Sequence, residues 1–61
     1  MKITLRAARV NAGLTAAMVG HTVGVDRRTI ANWESGKTMP TIQKLNELVD
    51  LYGCTVNDIK I

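Results

Sequence analysis

Apolar residues recur along this chain at intervals of three and four, the spacing of a helical stripe facing a core rather than the alternation of a strand. Leu5 and Ala8 are three apart, Val19 and Val23 four apart, and Ile30 and Trp33 three apart. Ile42, Leu45, Leu48, Val49 and Tyr52 carry the same rhythm through the last third. Gly13, Gly24, Gly36 and Gly53 each follow a periodic stretch, where a helix wants a left-handed residue at its end. The cap-forming residues Thr15, Asp26, Thr41 and Thr55 come soon after, and Thr55 with Asp58 has capping-box spacing. Pro40 precedes Thr41 in a connecting loop. The pattern predicts an all-α fold of five short helices, at about 4–12, 15–23, 26–35, 41–52 and 55–59. The alternating ends, Met1–Ile3 and Ile59–Ile61, are only a weak signal for an extended or paired segment.

Gly20 breaks the rule, because it lies inside the second helix, where it costs about 1 kcal/mol against Ala. Its place between Val19 and Val23 points to the close approach of another helix backbone. The second and third helices are separated only by Gly24, Val25 and the cap Asp26, the layout of a helix-turn-helix unit.

Composition narrows the class. The 61 residues fit one domain, taken as 1–61, and a chain this short buries only roughly 60% of its unfolded surface. With 46% hydrophobic residues but one Trp, one Tyr and no Phe, the core should be aliphatic. A single Cys excludes an internal disulfide and suits a reducing compartment, and one His with one Cys cannot make a structural zinc site. No metal and no cofactor are therefore expected. No apolar run approaches the roughly 20 residues needed to span a membrane. Lys2, Arg6 and Arg9 interrupt MKITLRAARV, so it does not read as a signal peptide, and the expectation is a soluble cytoplasmic protein with no membrane partner. No nucleophile stands beside a base, and so small a chain cannot wall off a pocket. Neither an enzyme, a catalytic residue nor a small-molecule substrate is expected.

The net charge of +3 is unevenly placed. Residues 1–38 hold six cations (Lys2, Arg6, Arg9, Arg27, Arg28, Lys37) and two anions (Asp26, Glu34), a net of +4. Residues 39–61 hold two cations (Lys44, Lys60) and three anions (Glu47, Asp50, Asp58), a net of −1. A basic first part suggests a face for a polyanion. On a helical wheel of the third helix, Ile30 and Trp33 define one side and Arg28, Ala31, Asn32 and Ser35 the other. Cations at a helix start oppose the macrodipole, and Asp26 offsets this only in part. Arg27 and Arg28 make sense there if an anion arrives. Arg can pair with guanine O6 and N7, Asn32 can pair with adenine, and Ala31 is small enough to touch a thymine methyl.

The residues that follow carry a resemblance. Ala8-Arg9, Ala12-Gly13-Leu14-Thr15, Val19-Gly20, Val23-Gly24-Val25, Thr29-Ile30 and NWESGKTMPT (32–41), followed by Leu45, Leu48, Tyr52-Gly53 and Val56, resemble the phage repressor and Cro-like helix-turn-helix family, of xenobiotic-response-element type. The resemblance covers nearly the whole chain. It implies a compact five-helix, lambda-repressor-like DNA-binding domain with the third helix in the major groove. It places base contacts on Arg27, Arg28, Ala31 and Asn32, and phosphate contacts on Thr15, Ala16, Ser35, Lys37 and Thr38. It implies an ion pair between Arg9 and Glu34, which makes Glu34 structural. The chain departs from the family at Ala16, where a polar side chain is common, at Gly20, where Ala is common, and at Met18, where a charge is common.

Such modules gain affinity as two-fold dimers on double-stranded DNA. Tyr52, Val56, Ile59 and Ile61 in the less charged last third are the candidates for contact with a second copy or another partner. The alternative function is a protein-interaction module, an antitoxin or anti-repressor, using that same surface. His21 reads as exposed, Cys54 as a small core filler, Met18 and Met39 as partial core or surface, and Trp33 as core with its indole N–H seeking an acceptor.

Overall fold

The computed structural model describes residues 2–60. Four α-helices follow one another: α1 (Leu5–Asn11), α2 (Ala16–Val23), α3 (Arg27–Ser35) and α4 (Ile42–Tyr52). A 3₁₀ turn, Val56–Asp58, follows them.

Each α-helix starts where a side-chain oxygen takes up a free N–H of its first turn. Thr15 accepts from the Met18 N–H, Asp26 from Thr29 and Thr41 from Lys44. Thr4 does the same for Ala7 at 3.0 Å, a cap the apolar pattern did not reveal. Gly24 and Gly36 end α2 and α3 with φ of 82° and 80°, a conformation in which a Cβ would be strained.

The fifth helix shrinks to one 3₁₀ turn. An Asp58 carboxylate oxygen accepts from the Thr55 N–H at 2.9 Å and from its hydroxyl at 3.0 Å, which fixes the start. Ile59 is already extended, with φ −93° and ψ 129°, and forms a parallel bridge with Ile3. The Ile3 N–H donates to the Asp58 carbonyl at 2.8 Å, and the Lys60 N–H donates to the Ile3 carbonyl at 2.7 Å. Chain reversal onto the N-terminal segment stops the helix before a second turn forms. The two alternating ends do meet, at this one bridge.

The core has two joined halves. Ala8, Leu45, Val49 and Ile59 pack together under α1 and the terminal bridge. Val19, Val23, Ile30 and Leu48 pack between α2, α3 and α4. Leu5 and Tyr52 touch both halves. Cys54 packs, half-buried, against the first half, where burial pushes its thiol above the ordinary range. The α4 stripe faces inward from Leu45 onward, but Ile42 does not follow it: it is 74% exposed. Ile42 is the first residue of α4, and no described residue covers it. A groove of about 450 Å³ lies there instead, lined among others by Leu5, Trp33, Met39, Pro40 and Ile42. Trp33 is therefore half-buried at the groove edge rather than enclosed.

Gly20 is buried against the turn that follows its own helix. A Cβ there would lie 2.6 Å from the Val25 carbonyl oxygen and 3.1 Å from the Asp26 carbonyl carbon. The Gly20 carbonyl accepts from the N–H groups of Gly24 and Val25 at 2.9 and 2.8 Å. Absence of a side chain thus lets the turn fold back and present Asp26 as the start of α3. From the other side, the Lys44 ammonium donates to the Val23 carbonyl at 2.6 Å. A cation on the last turn of α2 is favoured by the helix dipole and ties α4 to the turn.

Candidate nucleic-acid interface

Helix α3 has a buried side and an exposed side. Ile30 is 1% exposed in the core. Arg27, Arg28, Ala31 and Ser35 are exposed, and Asn32 is half-buried. No ion pair engages Arg27 or Arg28 among the described residues. Asp26 is occupied at the start of the helix, accepting from the Thr29 N–H and hydroxyl, both at 2.8 Å. These bonds, the backbone one foremost, hold the Asp26 carboxyl below the usual carboxylate range, and the nearby Arg28 charge adds to the effect.

The far end of α3 is held tightly. Arg9 Nε donates to Glu34 Oε2 at 2.7 Å and Nη2 to Oε1 at 3.3 Å, a two-pronged contact. The side chains are only 13% and 10% exposed. Arg9 Nη1 also donates to the Leu14 carbonyl at 3.0 Å, so one guanidinium joins α1, the α1–α2 turn and α3. The bond to Glu34 raises the Arg9 pKa above its ordinary value, against the lowering effect of burial. The Asn32 carbonyl accepts from the Lys37 and Thr38 N–H groups at 3.0 and 3.3 Å, and the Ser35 hydroxyl donates to it at 3.1 Å.

The residues expected at phosphates fall into two groups. Thr15 and Ala16 lie at the start of α2, and Ser35, Lys37 and Thr38 lie at and beyond the end of α3. All are exposed except Ala16, which is half-buried. The Thr15 hydroxyl caps α2 by accepting from Met18 at 3.1 Å, which leaves its own proton free to be donated. Between these groups lies a cleft of about 320 Å³ lined by Arg6, Arg9, Ala16, Ala31, Glu34 and Ser35. Arg6 was not among the expected site residues. Its position three before Arg9, one turn back on the same helix, is the signal that would have found it.

One of the residues expected to meet a partner lies in the core. Ile59 is 2% exposed, because the terminal bridge draws it into the core, so it offers nothing to a second molecule. Val56 and Tyr52 are half-buried against the core, and Ile61 lies outside the described residues. Burial pushes the Tyr52 hydroxyl up to about 12, with the Glu34 charge adding to it. Among the described residues, the exposed large apolar side chains are Val10, Met18, Met39 and Ile42. His21 is exposed on α2.

With two helices joined by a tight turn and the second displaying its arginines, the comparison with protein families is decisive. A helix-turn-helix model of Cro/C1 type matches residues 5–59. The chain belongs to this helix-turn-helix family. The family comprises DNA-binding regulators, generally without catalytic activity. Comparison with curated proteins and with solved structures returns no match. In helix-turn-helix terms α2 is the first helix of the unit and α3 the recognition helix. No helix among the described residues is long and apolar enough to cross a membrane.

Proposed function

We propose that this helix-turn-helix protein is a sequence-specific regulator of transcription that binds double-stranded DNA, of the phage or prophage repressor or Cro-like kind, acting in the cytoplasm. Helix α3 enters the major groove and α2 lies across the backbone. The observation that carries this reading is the free pair Arg27 and Arg28, exposed at the start of a helix whose opposite side is anchored by Ile30. Arg28 reads guanine through two parallel hydrogen bonds, Asn32 reads adenine, and Ala31 meets a thymine methyl. Arg27 contacts a base edge beside them. Thr15, Ser35, Lys37 and Thr38, with the backbone N–H of Ala16 at the start of α2, hold phosphates on either side and set the register. Two copies on paired half-sites supply affinity that one short module lacks. Among the described residues, Met39 and Ile42 offer that second copy more apolar surface than the half-buried Tyr52 and Val56.

The same exposed groove beside Met39 and Ile42 favours a second reading, a protein-interaction module such as an antitoxin or anti-repressor. A salt series separates the two. A protein contacting about six phosphates loses on the order of a thousandfold in DNA affinity between about 50 and 200 mM salt, whereas apolar protein contacts barely respond. Selection from random duplexes should yield a two-fold symmetric motif with a fixed half-site spacing. Recovery of no motif would remove the sequence-specific reading.

A further inference from the structure

The cleft between α1, α2 and α3 has few uncommitted side-chain donors. Its lining from α2 and α3 includes the methyl groups of Ala16 and Ala31. The Arg9–Glu34 pair that also lines it is neutral as a pair, and Arg9 commits three of its five N–H groups to Glu34 and the Leu14 carbonyl. The Ser35 hydroxyl is uncharged and donates to the Asn32 carbonyl until a phosphate draws it away. What is left is Arg6, exposed on α1 and joined to no carboxylate among the described residues. Its guanidinium carries five donors and a positive charge.

We propose that Arg6 is a phosphate-binding residue of the DNA interface, the uncommitted charged side chain that fixes a backbone phosphate over this cleft. The inference rests on the DNA-binding reading above and adds to it a residue and a site. A helix lying in a major groove about 12 Å wide has a phosphate strand close on each side. Ala31 faces the cleft from the reading helix and Ala16 from the start of α2, so a strand passing α3 on this side runs over both methyls. Neither methyl can hold it. Arg6 reaches it from α1 and makes a charge-assisted bond to a phosphodiester oxygen, which fixes position without reading sequence.

The test compares the full chain with Arg6→Ala and Arg6→Lys, on the selected site and on an unrelated duplex, over a salt series. Arg6→Ala should weaken binding on the order of tenfold at low salt, equally on both duplexes. It should also reduce the slope of log affinity against log salt by about one. Arg6→Lys should keep the slope, since the charge remains. Placing a polar side chain on the opposite wall, Ala16→Gln, should recover affinity in the Arg6→Ala background by a larger factor than it adds to the unaltered protein. Because Arg6 is exposed, melting curves of both Arg6 variants should overlay that of the parent. An unchanged slope in Arg6→Ala, with the parent binding DNA normally, overturns the assignment of Arg6 alone. A loss confined to the selected site makes Arg6 a base reader and overturns it equally. If the parent shows no salt-dependent affinity for any duplex, the DNA-binding reading falls first and the Arg6 site with it.

Discussion

The two ends of the recognition helix are built to opposite specifications. At its start, one exposed carboxylate caps the helix, and two arginines stand free in solvent. At its end, Glu34 is clamped by Arg9 and the Asn32 carbonyl gathers the following turn. A long cationic side chain can read a base only if it is uncommitted, and it reads the right base only if the helix beneath it does not move. Flexibility of side chains and fixity of backbone are separated along nine residues.

The largest effect should come from breaking the fixed end. Glu34→Ala leaves the largely buried Arg9 guanidinium without its partner, and a loss of about 3–5 kcal/mol is expected in chemical denaturation. A loss below about 1 kcal/mol would place the pair with ordinary surface bridges. Glu34→Gln, which keeps two polar atoms for Arg9, should lose less.

Next comes the hinge between the helices. Gly20→Ala gains helix propensity but drives a methyl onto the Val25 carbonyl, at 2.6 Å before any adjustment. Overpacking of this kind costs about 1–3 kcal/mol, so the melting temperature should fall despite the propensity gain. Affinity for DNA should fall with it, because any relief moves Asp26 and the start of α3. A raised melting temperature would contradict the close approach.

At the free end the signature should invert. Arg28→Ala is expected to change stability by less than about 0.5 kcal/mol, yet to relax preference at one base pair by about 1–3 kcal/mol. Uniform weakening on all duplexes would make Arg28 a phosphate contact. The smallest effect concerns acid. The Asp26 and Asp58 carboxyls are held below their ordinary range by hydrogen bonds, those from the Thr29 and Thr55 N–H groups foremost. In each case the unfolded chain binds the proton more readily, so their contribution is full above about pH 4 and fades as pH falls through the folded values. Melts from pH 7 to 2 should show this acid limb, and it should flatten in Asp26→Asn with Asp58→Asn, since Asn still caps a helix. An acid limb unchanged by both substitutions would have to arise at other carboxylates.

Much of this was legible in the order of residues. The four α-helices, the Thr15, Asp26 and Thr41 caps, and the glycine ends follow from local geometry, which depends on neighbours three or four positions away. The outward position of Arg28, Ala31 and Ser35 follows from the same periodicity once Ile30 is placed inside. Periodicity misled at Ile42 for a specific reason. It reports which residues share a face, but not whether another helix covers that face along its whole length.

What the sequence by itself determined is therefore the four α-helices, most of their capped ends, the family they compose, and the side of α3 that carries the arginines. Only the tertiary structure decided the rest: that Ile59 belongs to the core through a bridge to Ile3, that Lys44 closes the end of α2, that Gly20 meets the turn before α3, and that Arg6 shares a cleft with Ala16 and Ala31. The division has a physical cause. Caps and amphipathic stripes are set by interactions within a turn or two of helix. Bridges and clefts join residues far apart in sequence, and their partners are fixed only when the whole chain packs.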